Sequence, residues 1–119
     1  MKGRLLLATA FLIGIGGAAH ADEVKAGKAI YVDNCQRCHG NKGQGGTGVK
    51  LAGDSAYWEP DLFRRAVLTG IDDEGKQLKA AMPRWGKVGL TKPKGRIPTE
   101  QDLSNIQDYL KTFGPKLGD

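Results

Sequence analysis

The chain has 119 residues, 39% of them apolar and 26% charged, enough for one domain with a modest core and too little for a second. Its 18 Lys and Arg outnumber 13 Asp and Glu, yet nucleic-acid binding is excluded as a reading, because aromatic interleaving and any recognition module are absent. The N-terminus reads as a leader. Met1-Lys2-Gly3-Arg4 is cationic, Leu5 to Ala19 is apolar without a charge, and Ala19-His20-Ala21 fits a small-x-small cleavage site, the layout of a secretory signal peptide. Fifteen apolar residues fall short of the roughly 20 that span a bilayer, and no charged stop-transfer flank follows. The expectation is a signal peptide over 1–21, cleaved after Ala21, and one exported domain over 22–119; an uncleaved anchor is the alternative. In the mature chain His39 is then the sole His and Met82 the sole Met, and the formal charge is +3.

Three helices are predicted and no strand pattern competes with them. The first runs from about Glu23 to Asn34, with Val24, Gly27, Ile30 and Tyr31 on one face. Acidic Asp22 and Glu23 suit its first turn. The second spans about Pro60 to Thr69, with Leu62, Phe63, Ala66 and Val67 apolar; Pro60 suits a first helical position and Gly70 a stop. The third is capped by Thr99, with Glu100 and Asp102 in its first turn. Leu103, Ile106, Tyr109, Leu110 and Phe113 form its stripe before Gly114 and Pro115 end it. The fold class is all-α with long connections. Loops of that length are hard to justify in so short a chain unless something large occupies the interior.

Cys35-Gln36-Arg37-Cys38-His39 contains both cysteines of the chain, and Cys-x-x-Cys-His is the attachment pattern of haem c. The two thiols would hold the cofactor as thioethers and His39 would be the proximal iron ligand. As a zinc site the motif offers three crowded ligands with no further Cys or His to complete it. As a thiol–disulfide site it lacks the βαβ context. Sixth-ligand candidates are Met82, a lysine, a tyrosine, or nothing. Met82 stands in Ala80-Ala81-Met82-Pro83-Arg84-Trp85, where the proline discourages helix. A thioether there would fill the site and raise the potential; the plainer reading of a single Met is core filler.

With these residues assembled, the chain resembles a class I, monohaem c-type cytochrome over residues 23–113. The haem motif lies near the N-terminus and the Met about forty residues on. Gly27 and Tyr31, with Ile106, Tyr109 and Leu110, match the positions where that family's terminal helices cross. Thr47 to Gly53 resembles its loop on the His side of the haem. The resemblance implies a cytochrome c fold of about three main helices around one covalent haem c, with His39 and Met82 as axial ligands. It departs twice. The family usually has proline at Val49, whose carbonyl accepts the ring N–H of the proximal His, and the Trp85–Pro98 connection looks longer than in compact bacterial members.

From Gly75 to Thr99 there are seven cations (Lys76, Lys79, Arg84, Lys87, Lys92, Lys94, Arg96) and no acid. They are candidates for a surface that steers an acidic redox partner; the alternative is a solvated loop. Gly43 to Gly48 spells G-x-G-x-x-G but lacks the strand and helix a dinucleotide site needs. Asp72-Asp73-Glu74-Gly75 lacks EF-hand spacing and reads as a surface turn. Trp58 and Trp85 suit either the cofactor wall or the core. The function expected is one-electron transfer by a monomeric periplasmic carrier, not an enzyme. The alternatives are a haem ligand-binding sensor or peroxidase-like protein, and a haem subunit of a larger oxidoreductase.

Overall fold

The computed structural model describes residues 15–118. Helices α1 (Ile15–Asn34), α2 (Gln36–His39), α3 (Pro60–Thr69), α4 (Trp85–Val88) and α5 (Glu100–Lys111) follow one another, with a 3-10 turn at Ser55–Tyr57. Among the described residues the only extended pairing is an isolated bridge between Ile71 and Gln77. The all-α class is as expected, with α1, α3 and α5 as its three main helices.

α1 is already helical at Ile15, the first described residue, upstream of the expected start at about Glu23. Ala18, Ala19 and Ala21 are strong helix formers and no proline stands between Ile15 and Asn34, so Asp22 and Glu23 lie within the helix and not in its first turn. The expected cleavage point after Ala21 therefore falls within α1, while most of the expected leader, residues 1–14, lies outside the described residues. Ala18 to Asp22 are exposed, and Glu23 and Val24 are half-buried. No helix among the described residues is long and apolar enough to cross a membrane.

The core is the crossing of α1 and α5. Gly27 is buried, and a Cβ placed on it would lie 1.9 Å from the Asn105 carbonyl oxygen. The helices can approach that closely only because residue 27 has no side chain. One turn later Ile30 and Tyr31 join Leu103, Ile106, Tyr109 and Leu110 in a single buried cluster. Tyr31 and Tyr109 meet with ring centroids 5.6 Å apart, and Tyr109 takes Phe113 edge-on at 5.1 Å. Each such aromatic pair contributes about 0.5–1.5 kcal/mol beyond its buried area.

α3 has the predicted bounds, with Pro60 in its first turn and Gly70 ending it in the left-handed region at φ 75°. α5 ends at Lys111, two residues before the stripe does. There Thr112 and Phe113 donate to Tyr109 and Leu110 three residues back, which tightens the last turn. Phe113 still packs on the core. At the other end the Thr99 hydroxyl accepts from Asp102 N–H at 3.0 Å, and the Asp102 carboxylate accepts from Thr99 N–H at 2.9 Å. Arg96 pairs with the same carboxylate at 2.5 Å.

Burial would push the Asp102 carboxyl up, but the Thr99 N–H and the Arg96 guanidinium hold it below the ordinary range. A depressed folded-state pKa stabilises the protein above the unfolded value, about 3.9 for Asp. That stabilisation is lost as pH falls through the folded value. Asp102→Asn should therefore cost about 1 kcal/mol at neutral pH, with the difference from wild type shrinking below about pH 4. Denaturant titrations at several pH values check this. Gly27→Val should cost about 1–3 kcal/mol or more by overpacking, read in the same titrations.

Candidate metal centre

The end of α1 runs directly into the Cys-x-x-Cys-His motif. Cys35 N–H donates to Tyr31 O at 2.8 Å and His39 N–H to Cys35 O at 3.0 Å, which winds the motif into one helical turn. Cys35 and Cys38, three residues apart, fall on one face of that turn. Cys35 is half-buried and Cys38 exposed. Burial, followed by the neighbouring Cys38, pushes the Cys35 thiol up to about 12. Tyr31, whose hydroxyl burial pushes above the ordinary tyrosine range, stays protonated and donates to Gly40 O at 2.5 Å.

His39 is 7% exposed. Its Nδ1 lies 2.7 Å from Val49 O. A carbonyl oxygen only accepts, so Nδ1 carries the proton and Nε2 keeps a lone pair available to a metal. The Val49 side chain is 67% exposed, so residue 49 serves through its backbone, and valine keeps the hydrogen bond that proline makes in the family. The loop is held by Gly45 N–H to His39 O at 2.8 Å and Gly48 N–H to Cys38 O at 2.8 Å. Gly48 lies against the imidazole: a Cβ there would be 2.8 Å from His39 Cε1.

Beside His39 opens a largely apolar cleft enclosing about 670 Å³ of empty space, its open mouth included. Cys35, His39, Trp58, Phe63, Met82 and Trp85 are among its walls. Chain segments nearly fifty residues apart thus bring an imidazole, a thioether and a thiol to one cavity. Trp85 also belongs to the buried core, and Trp58 packs against it, so both tryptophans serve wall and core together. Ser55, on the 3-10 turn, lines the same cleft with its buried hydroxyl unpartnered among protein groups. An apolar cavity with one soft sulfur donor, one imidazole, an adjacent cysteine pair and an unmatched hydroxyl fits a covalently held haem. It does not fit zinc, which would want four closely set ligands.

Met82 is half-buried in the irregular segment after α3. Of the seven sequence-predicted surface cations, Lys76 pairs with Glu74 at 3.2 Å and Arg96 with Asp102. Arg84 is half-buried, its guanidinium bonded to main-chain carbonyls. Lys79, Lys87, Lys92 and Lys94 are exposed. The Trp85–Pro98 connection is folded back on itself by Gly95 N–H to Leu90 O and Leu90 N–H to Arg96 O, both 2.8 Å.

Asn34 was not singled out by sequence reasoning, yet it ties that connection to the motif. Its Oδ1 accepts from Thr91 N–H at 2.9 Å and Lys92 N–H at 3.1 Å, and its Nδ2 donates to Lys92 O at 3.0 Å. An amide at a helix end next to the motif was the available signal, and it is a weak one. The Asp72 stretch is a surface turn, with Asp72 Oδ1 accepting from Glu74 and Lys76 N–H.

An all-α fold that brings a Cys-x-x-Cys-His turn and a methionine to one apolar cleft defines a monohaem c-type cytochrome domain. More particularly, the chain belongs to the family described as cytochrome C oxidase, cbb3-type, subunit III, whose model matches residues 22–110. It is 33% identical over 100 residues to the Cbb3-type cytochrome c oxidase subunit FixP of Azorhizobium caulinodans. That alignment covers 78% of this chain and 30% of FixP, so the chain spans less than a third of that relative's length. No solved structure matches it.

Gly48→Val should cost about 1–3 kcal/mol in denaturant titrations of the haem-loaded protein, because loop and imidazole compete for one volume. An unchanged midpoint would mean that the loop has room to move.

Proposed function

We propose that this domain carries single electrons between redox proteins through one covalent haem c with His39 and Met82 as axial donors. The observation that carries the reading is that both side chains line one cleft, together with Cys35. When bound, the haem supplies an iron that alternates between the ferric and ferrous states. Cys35 and Cys38 would hold it as thioethers. Val49 O holds the proton on His39 Nδ1, which would leave Nε2 as the neutral donor to the iron. Met82 offers a soft sulfur that raises the potential relative to a nitrogen donor and closes the sixth position to outside ligands. Phe63, Trp58 and Trp85 line the cavity with apolar surface that would keep water from the iron. No group in the cleft needs to act as acid, base or nucleophile, because no substrate bond changes.

The mature domain is proposed to begin at Asp22, consistent with the exposure of Ala18 to Asp22, and to work as a periplasmic monomer after export. Lys79, Lys87, Lys92 and Lys94, supported by Lys76, Arg84 and Arg96, are the proposed steering surface for an acidic partner. A second reading is favoured by the similarity to part of FixP: the domain is the haem module of a larger oxidoreductase, docked through its Trp85–Pro98 connection. Size-exclusion chromatography of the native protein separates the two, since a carrier elutes alone and a module elutes with its assembly.

Replacing Cys35 and Cys38 by alanine should abolish haem that survives denaturing electrophoresis. Met82→Ala should leave haem attached but let the ferrous protein bind carbon monoxide at neutral pH, which the wild type should not do. A wild type that binds carbon monoxide readily would favour the sensor or peroxidase-like reading. Electron-transfer rates to an acidic partner should fall about tenfold or more between low ionic strength and roughly 0.15 M salt. Rates indifferent to salt would remove the steering role.

A further inference from the structure

Arg84 differs from the other cations of its stretch. Lys79, Lys87, Lys92 and Lys94 are exposed, whereas Arg84 is half-buried. One arm of its guanidinium donates to Met82 O at 2.8 Å and Lys79 O at 3.1 Å, and the other to Leu78 O at 2.8 Å. All three acceptors lie in the segment that leads to Met82. That segment has little else to hold it: Leu78 N–H to Gly70 O at 2.7 Å anchors its start, and Met82 N–H to Lys79 O at 3.1 Å closes its turn. Arg84 is itself fixed at its base, where its carbonyl accepts from Lys87 and Val88 N–H at the start of α4.

The space for this side chain is reserved by α3. Gly70 ends that helix in the left-handed region, and a Cβ on it would lie 2.0 Å from Arg84 Nε. The guanidinium thus occupies the C-terminal end of α3, where the partial negative charge of the last carbonyls favours a cation. A planar fork with five N–H donors can serve several carbonyls at once. A lysine keeps the charge but offers a single point donor on a flexible stem.

We propose that Arg84 is a positioning residue for the sixth iron ligand: from the end of α3 it clamps the carbonyls of residues 78, 79 and 82 and so governs how readily Met82 leaves the iron. The inference rests on Met82 being the axial donor. Arg84 then acts on ligand exchange beyond any charge it lends the steering surface, and Gly70 belongs to the same device.

The test uses haem-loaded wild type, Arg84→Lys, Arg84→Gln and Gly70→Ala. It reads the weak long-wavelength sulfur–iron(III) band against helical circular dichroism as denaturant rises, and the rate of carbon monoxide binding to the ferrous protein. In all three variants the band should disappear at lower denaturant than the helical signal. Carbon monoxide should bind about tenfold faster than to wild type, the scale set by losing charge-assisted hydrogen bonds. Failure of Arg84→Lys to restore wild-type behaviour would identify the fork, not the charge, as the working element. Arginine variants with wild-type carbon monoxide rates, or with band and helix lost together, would overturn the clamp while leaving Met82 as ligand. A wild type with no sulfur–iron band would overturn the Met82 assignment and the clamp with it.

Discussion

The backbone of α5 passes so close to α1 that Gly27 has no room for a single methyl group: a Cβ there would stand 1.9 Å from Asn105 O. The site depends on that contact. It sets the register in which Ile30 and Tyr31 meet Ile106, Tyr109 and Leu110, and Tyr31 in turn carries the start of the motif. Its carbonyl receives Cys35 N–H and its hydroxyl reaches Gly40 O, on the far side of His39. Moving the helices apart would shift the cysteines and the histidine together. The core and the cofactor wall are therefore one structure, as a chain with so little apolar material requires.

The two faces of the cleft are held by different physics. On the histidine side, regular backbone hydrogen bonds fix a glycine-rich loop, and a carbonyl sets the protonation of His39 Nδ1. On the methionine side the segment after α3 has few backbone bonds, and the Arg84 side chain supplies donors instead. Asn34 then links the end of α1 to the connection beyond α4, so the cationic stretch is tied to the turn that bears the cysteines. Irregular backbone near a buried cavity has to find partners for its polar groups, and here side chains provide much of that satisfaction.

Much of this was legible in the residues. Pro60 and Gly70 bracket α3 because proline is pre-set for a first turn and glycine for a left-handed end. Thr99 and Asp102 announce a reciprocal cap. Cys35, Cys38 and His39 form a local pattern whose spacing points to haem c, once the rest of the chain offers no further zinc ligand and no βαβ context. The start of α1 was less legible, since an alanine-rich leader and a helix share the same composition. α2 and α4 are single turns, too short for a period to register. Arg84 read as one surface cation among seven because charge is visible in a sequence and burial is not. Its role depends on where Gly70 falls in space. The departure at Val49 keeps the hydrogen bond to His39, because the interaction runs through a main-chain carbonyl that most residue types would present.

The central claim is that His39 and Met82 bind the same iron. Iron-edge X-ray absorption on the ferric, haem-loaded protein at neutral pH tests it most directly. The account predicts a six-coordinate iron with one sulfur among its ligands and nitrogen at the other five positions. A first shell without sulfur, whether five-coordinate or completed by nitrogen or oxygen, would contradict it.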